Sequence, residues 1–117
     1  MAKILVVDDE EPLRELLARV LQQEGHEVVT ADNGRRALEI FNQVQDEGQG
    51  PFNAIVTDMN MPEMDGATLA CTIRGSVNPV PVIIMTGRMN QNFVGAWAVL
   101  PKPVNNQQIA GVVKAFL

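Results

Sequence analysis

The sequence predicts an α/β protein built on a doubly wound parallel sheet, and three observations support this fold class. Short apolar runs alternate with stretches of helical periodicity, which is typical of buried parallel strands and their crossover helices. Each of four apolar runs leads into a polar or charged residue. The chain of 117 residues is long enough for one domain with its own core. We therefore predict a single domain, residues 1–117, with right-handed crossovers.

The first half of the chain is predicted to contain two strands and two helices. The run Ile4–Val7 precedes a helix that begins near Pro12 and ends at Gly25. Apolar residues of this helix recur at helical spacing, namely Leu13, Leu16, Leu17, Val20 and Leu21. Residues 26–31 form the second strand, and residues 32–34 form a turn. The second helix is predicted from the spacing of Ala37, Leu38, Phe41 and Val44.

The second half continues the alternation, with one short crossover. A polar loop at 46–51 precedes a third strand that ends at Asp58. A loop at 61–66 leads to a third helix, predicted from Ala67, Ala70 and Ile73. The fourth strand is 82–85, and only residues 87–96 separate it from the run Trp97–Leu100, which leaves room for about two helical turns. A last helix, capped by Asn105 or Asn106, is predicted from Ile109, Val112, Val113 and Phe116.

Composition excludes several classes of function. The net charge is -5 and the pI about 4.7, with no stretch rich in Lys or Arg, so we expect no direct nucleic-acid binding. No apolar run approaches the roughly 18 residues that would cross a bilayer, and residues 1–3 pass directly into a strand, so we expect no membrane partner and no signal peptide. Cys71 is the sole cysteine, which fits a reducing cytoplasm.

Chemistry-bearing residues follow the predicted strands. Asp8 and Asp9 follow the first strand, Asp58 ends the third, Thr86 follows the fourth, and Lys102 follows the fifth. Because the carboxyl ends of parallel strands meet at one edge of the sheet, we expect these side chains to converge. Two unit charges about 4 Å apart repel by roughly 4 kcal/mol at an effective dielectric near 20. The carboxylates therefore predict a divalent cation, Mg²⁺ or Mn²⁺.

These residues, with Met61-Pro62-x-Met64-Asp65-Gly66 after the third strand and Lys102-Pro103 after the fifth, resemble response-regulator receiver domains of two-component signalling. The resemblance covers essentially the whole chain. It implies a flavodoxin-like strand order 2-1-3-4-5, here with a shortened fourth helix. It also implies regulation rather than enzymatic turnover, apart from Mg²⁺-dependent self-phosphorylation and slow autodephosphorylation. The implied partners are a histidine kinase or histidine phosphotransfer protein and a downstream protein target.

The resemblance also implies a role for each site residue. Asp58 is the phosphoacceptor, and Asp9 and Asp58 ligate Mg²⁺ while Asp8 acts mainly through water. The backbone carbonyl of Asn60 completes the protein ligands. The Thr86 hydroxyl and the Lys102 ammonium hold phosphoryl oxygens, and a cis peptide is expected between Lys102 and Pro103.

Two features depart from the family pattern. Where the family commonly has Tyr or Phe three residues before the lysine, this chain has Val99, and the segment from Thr86 to Gly95 is shorter by roughly a turn and a half of helix. The fourth helix is therefore expected to be stunted or replaced by a loop. Both features keep a second hypothesis open, a pseudo-receiver that binds its partner without phosphorylation.

Other readings explain less of the pattern. Asp8 and Asp9 as helix caps alone would leave Asp58 and Lys102 unexplained. A Mg²⁺-dependent phosphatase would need a second acid two residues after its nucleophile, where this chain has Asn60. A flavin phosphate would be repelled by the acidic first loop. Cys71 is predicted to be a small core or boundary residue, and Trp97 a buried anchor.

Overall fold

The structure, a computed structural model, describes residues 2–46, 52–76, 78–89 and 93–117. It contains five strands and four helices within these residues. In chain order they are β1 (Lys3–Val7), α1 (Glu11–Gln23), β2 (Glu27–Ala31), α2 (Gly34–Asp46), β3 (Ala54–Asp58), α3 (Gly66–Arg74), β4 (Val82–Thr86), β5 (Ala98–Pro101) and α4 (Asn106–Ala115).

All five strands lie in one parallel sheet with the order β2-β1-β3-β4-β5. This order confirms the prediction of a doubly wound, flavodoxin-like sheet. β1 and β3 are neighbouring strands inside the sheet. They pair so that Ile4 lies opposite Ala54 and Val7 lies opposite Thr57. Their carboxyl ends are therefore level, which brings the residues that follow β1 beside Asp58.

Two hydrophobic clusters cover the two faces of the sheet, because successive side chains of a strand point to opposite faces. Leu5, Ile55 and Ile84 pack on one face with residues of α2 and α3. Ile4, Val56 and Ile83 pack on the other face with residues of α1 and α4. β1, β3 and β4 are thus buried on both sides, which explains why they have uninterrupted apolar sequences.

The helix ends follow local sequence signals. Gly25 follows α1 with a positive φ of 92°, as expected for the residue that ends a helix. Asn105 caps α4 through a reciprocal pair of hydrogen bonds with Gln108, a capping box. Asp65 caps α3 by accepting a hydrogen bond from the Thr68 amide. The N-termini of α3 and α4 are therefore each held by a side-chain cap.

The connection between β4 and β5 contains turns and bends in its described residues, 87–89 and 93–97. No helix is formed by these residues, which agrees with the expectation that the fourth crossover is stunted or replaced by a loop. Residues 90–92, and the loop predicted at 46–51 beyond its first residue, lie outside the described residues. The segment contacts α3 near Gly95, where a side chain would lie 2.9 Å from the Cys71 amide nitrogen.

Three predictions about burial were wrong. Trp97 is 51% exposed and meets the ring of Phe116 edge to face, at 5.8 Å between centroids. Cys71 is exposed, with its thiol 2.9 Å from the Val94 carbonyl oxygen. Leu16, one of the apolar positions whose spacing predicts a buried face of α1, is 45% exposed. The other apolar positions predicted for α1 are buried or partly buried.

Across the described ranges, every helix is too short or too polar to cross a bilayer.

Candidate functional site

Three carboxylates converge at the carboxyl edge of the sheet. Oxygen atoms of Asp8, Asp9 and Asp58 all lie within 4.8 Å of one another. Asp8 and Asp9 follow β1, and Asp58 is the last residue of the adjacent β3. The parallel register of the two strands produces this convergence, as the sequence predicted.

Asp8 is the most buried of the three, with no exposed surface. One carboxylate oxygen accepts a hydrogen bond of 2.9 Å from the Glu10 amide, and the other has no hydrogen-bond partner within the described part of the chain. Burial raises the pKa of Asp8 from 3.8 to about 6; the Glu10 hydrogen bond opposes this shift, and the negative charge of Asp58 adds to it. Asp8 therefore presents an unsatisfied oxygen to the pocket.

Asp58 forms an ion pair with Lys102, with 2.8 Å between the lysine Nζ and the Asp58 Oδ1. The Asp58 side chain is 6% exposed and the Lys102 side chain 28% exposed. Burial of Lys102 lowers its pKa, but the hydrogen bond to Asp58 and the charges of Asp58, Asp8 and Glu10 outweigh this, so the pKa is raised. Lys102 is thus a stable cation at the edge of the acidic cluster. The Lys102–Pro103 peptide is cis, as predicted.

Thr86 is buried at the end of β4 and belongs to the same edge. Its hydroxyl oxygen accepts a hydrogen bond of 3.0 Å from the Arg88 amide and lies 3.1 Å from the Arg88 carbonyl oxygen. Its carbonyl oxygen accepts a hydrogen bond of 2.7 Å from the Lys102 amide. The backbone of Lys102 is therefore tied directly to the strand that carries Thr86.

Asn60 lies two residues after Asp58, exposed, in the loop that leads to α3. This loop is drawn close to the end of β3, because the Gly66 amide donates a hydrogen bond of 2.8 Å to the Met59 carbonyl. A backbone carbonyl at Asn60 is the predicted metal ligand, and that role stays a prediction. The loop belongs to the same sheet edge as the three carboxylates.

Gly66 is required where α3 meets the backbone of Asp58. A methyl group at this position would lie 2.5 Å from the Asp58 carbonyl oxygen. We expect Gly66→Ala to push the Asp58 backbone aside and to lower the free energy of unfolding by about 1–3 kcal/mol. Gly111→Ala is the control: its methyl meets no atom within 4 Å, and in a helix the change should raise stability by about 0.5–1 kcal/mol. Urea unfolding of both variants tests this, and an unchanged Gly66→Ala midpoint would contradict it.

The donor atoms suit a hard divalent cation. Three carboxylates offer oxygen ligands, and the buried Asp8 oxygen, which has no hydrogen-bond partner among the described residues, is the atom that a cation or its bound water would satisfy. The single positive charge of Lys102 does not balance the three carboxylates, so the cluster keeps a net negative charge. The residues present therefore fit Mg²⁺ better than a thiolate- or imidazole-seeking metal.

Sequence reasoning missed one residue of this edge, Arg14. Its Nη1 donates a hydrogen bond of 2.8 Å to the carbonyl oxygen of Asp8. The periodicity of α1 shows that residue 14 lies on the first turn, next to the loop that carries Asp8 and Asp9. A long side chain at that position can reach back to the loop, but the pattern does not reveal which way it turns.

Comparison with known proteins gives a consistent result. The family model described as the response regulator receiver domain matches residues 4–114. A transcriptional regulatory protein, the CpxR homolog of Haemophilus influenzae, is 35% identical over all of this chain, which spans 51% of that relative's length. A response regulator receiver domain from Clostridium thermocellum has a TM-score of 0.86 at 30% identity, with 99% of this chain and 94% of that chain covered. The response regulator TrrA from Thermotoga maritima, solved in complex with Mg²⁺-BeF, has a TM-score of 0.83 at 32% identity, with both chains fully covered.

Proposed function

Because this chain belongs to the family of response regulator receiver domains, we propose that it accepts a phosphoryl group on Asp58 in a Mg²⁺-dependent reaction and so controls a partner interaction. The observation that carries the proposal is the placement of Asp58 between two other carboxylates and the Lys102 ammonium. Receiver domains are regulatory modules, so the expected outcome is a modified protein rather than a released product.

Phosphoryl transfer to a carboxylate depends on charge compensation and alignment. An Asp58 oxygen attacks the phosphorus atom as the bond from phosphorus to the donor's nitrogen or oxygen breaks, so one bond forms for each one lost. Lys102 starts 2.8 Å from Asp58 and holds one phosphoryl oxygen. The Thr86 hydroxyl, at the end of the neighbouring strand, donates a hydrogen bond to another phosphoryl oxygen.

The cation completes the charge balance. Asp9, Asp58 and the Asn60 carbonyl would hold Mg²⁺, with Asp8 acting through water, and the cation would supply positive charge for the incoming phosphoryl oxygens. The three carboxylates carry a formal charge of -3, and Lys102 and Mg²⁺ together carry +3. The Thermotoga maritima relative in complex with Mg²⁺-BeF supports a site of this kind.

The proposed phosphodonor is a histidine kinase or a histidine phosphotransfer protein. Beside Lys102 a groove of about 430 Å³ runs between α1 and the loop after β5, lined largely by apolar side chains such as Leu13, Pro103 and Val104. An apolar side chain of the donor protein would fit there while its phosphohistidine faces Asp58.

The proposed downstream target is a further protein. This chain spans about half the length of its curated relative from Haemophilus influenzae. A cytoplasmic location of the protein stays a prediction.

Intact mass tests the phosphoacceptor directly. After incubation with a small-molecule phosphodonor and Mg²⁺, the protein should gain the mass of one phosphoryl group, because the pocket supplies every neutralising group except the cation. The gain should be absent with a chelator and absent in Asp58→Asn. Asp32→Asn, which removes an exposed carboxylate elsewhere, should be modified normally. An unmodified wild-type protein would favour the pseudo-receiver.

Phosphorylation is expected to act first on the segment after β4. The Thr86 hydroxyl bonds with the Arg88 backbone, and a phosphoryl group on Asp58 would compete for it. Val99 has no aromatic ring to change rotamer, so the response should appear as altered amide exchange at residues 87–89. Exchange with and without beryllofluoride, used as a phosphoryl mimic, tests this. Changes confined to α4 would contradict it.

A further inference from the structure

The loop between β1 and α1 carries two of the proposed metal ligands, and Arg14 contacts it at two points. The Arg14 side chain donates from Nη1 to the Asp8 carbonyl oxygen at 2.8 Å. The Arg14 amide donates to the Glu10 carbonyl oxygen at 2.9 Å. One residue of α1 is therefore bonded to the backbone on both sides of Asp9.

Among the described residues, the other hydrogen bonds of this loop also involve Asp8 and Glu10 rather than Asp9. The Asp8 amide donates to the Ala31 carbonyl oxygen at 3.1 Å, and one Asp8 carboxylate oxygen accepts from the Glu10 amide at 2.9 Å. Asp9 itself is exposed, yet its carboxylate lies within 4.8 Å of those of Asp8 and Asp58. Its position therefore depends on the two peptide planes beside it.

Arg14 donates its hydrogen bond to the carbonyl of the peptide between Asp8 and Asp9, and so restrains the plane of that peptide. The carbonyl of this peptide is the acceptor, so a rotation that turned Asp9 away from the pocket would also break the hydrogen bond to Arg14. A guanidinium donor on a carbonyl is a charge-assisted hydrogen bond, and the contact is partly buried, which protects it from water. Groups that orient a ligand in this way commonly govern metal affinity without touching the metal.

We propose that Arg14 is a positioning residue of the metal site, holding the Asp8–Asp9 peptide so that the Asp9 carboxylate faces Asp8 and Asp58. The inference rests on the proposed Mg²⁺ site. Arg14 acts through its hydrogen bond to the backbone, and its effect is on the arrangement of the ligands before the cation binds.

Two substitutions separate the hydrogen bond from the bulk of the side chain. Arg14→Met keeps a long apolar stem without a donor, and Arg14→Lys keeps a donor and the charge. Arg19→Met is the matched control, since Arg19 is exposed on the same helix and its loss changes the net charge equally. The Mg²⁺ dissociation constant of each protein is measured by calorimetry.

Arg14→Met is expected to raise the Mg²⁺ dissociation constant about tenfold, whereas Arg19→Met should change it less than about twofold because an exposed charge is screened. Arg14→Lys should recover most of the lost affinity. Equal effects of the two methionine variants would overturn the proposal in favour of long-range charge. An unchanged affinity in Arg14→Met beside a wild type that binds Mg²⁺ would overturn it while leaving the proposed function intact. A wild type that binds no Mg²⁺ would overturn both.

Amide exchange in chelator supplies a second readout that needs no metal. The Glu10 amide, bonded to Asp8, should exchange faster in Arg14→Met and at the wild-type rate in Arg19→Met. Arg14→Lys should remain close to wild type. Unchanged exchange of the Glu10 amide in Arg14→Met would show that the loop keeps its shape without Arg14, and would contradict the proposal.

Discussion

Replacing Lys102 by methionine is expected to slow phosphoryl transfer to Asp58 at least about a hundredfold while Mg²⁺ binds more tightly. The ammonium lies 2.8 Å from Asp58 and is the one lysine that faces the acidic cluster within the described residues. Its removal takes away a cation that should hold a phosphoryl oxygen in the transition state. The same removal leaves the pocket more negative, so a divalent cation is attracted more strongly.

The opposite signs of the two effects make this prediction specific. The rate is followed by intact mass of samples quenched at intervals, at Mg²⁺ concentrations that saturate each variant, and affinity is measured by calorimetry. Lys114→Met removes an exposed lysine from the last turn of α4 and should change neither quantity appreciably. A Lys102→Met protein that accepts the phosphoryl group at the wild-type rate would show that Lys102 only pairs with Asp58 in the resting state.

Asp8 should make the metal-free protein less stable as the pH rises. Its pKa is raised from 3.8 to about 6 by burial, so the folded protein binds a proton more tightly than the unfolded chain does. The free energy of unfolding must then fall as the pH rises from the unfolded pKa, near 3.8, to the folded pKa, near 6, and the penalty is complete above that value. Between about pH 5 and about pH 7.5 in chelator we expect a loss of roughly 1–1.5 kcal/mol from this group, because the first part of the change lies below pH 5.

Asp8→Asn isolates the contribution of Asp8 from that of other titrating groups. The variant should lose most of this pH dependence and should be more stable than wild type near pH 7.5 in chelator. Glu15→Gln, an exposed change on α1, should keep the wild-type profile. Asp58→Asn should not be stabilised, because it loses the ion pair with Lys102. Urea unfolding at several pH values measures all four proteins, and an Asp8→Asn profile that parallels wild type would contradict the assignment.

The strand order and the convergence of the site residues could be predicted because both depend on buried parallel strands. Such strands have continuous apolar sequences, and the residue after each one lies at the carboxyl edge whatever the details of packing. Asp58, Thr86 and Lys102 were found in this way. The resemblance to a family added the order of the strands and the cis peptide at Lys102, which local patterns do not encode.

Other features depend on tertiary contacts that periodicity does not contain. Asp8 and Asp9 are adjacent and chemically alike, yet one is fully buried and the other exposed, because the chain turns between them. The exposure of Trp97 depends on its packing against Phe116, which lies far along the chain. The role of Arg14 depends on a side chain turning back over the preceding loop, and the sequence alone leaves that rotamer open.

The phosphoacceptor role of Asp58 is tested most directly by locating the modification on the chain. After incubation with a small-molecule phosphodonor and Mg²⁺, borohydride reduction converts an aspartyl phosphate to homoserine, which peptide mass spectrometry places at a single residue. Reduction is expected at position 58 alone, with none in the presence of chelator. Reduction at Asp8 or Asp9 instead, or none anywhere in a protein that binds Mg²⁺, would contradict it.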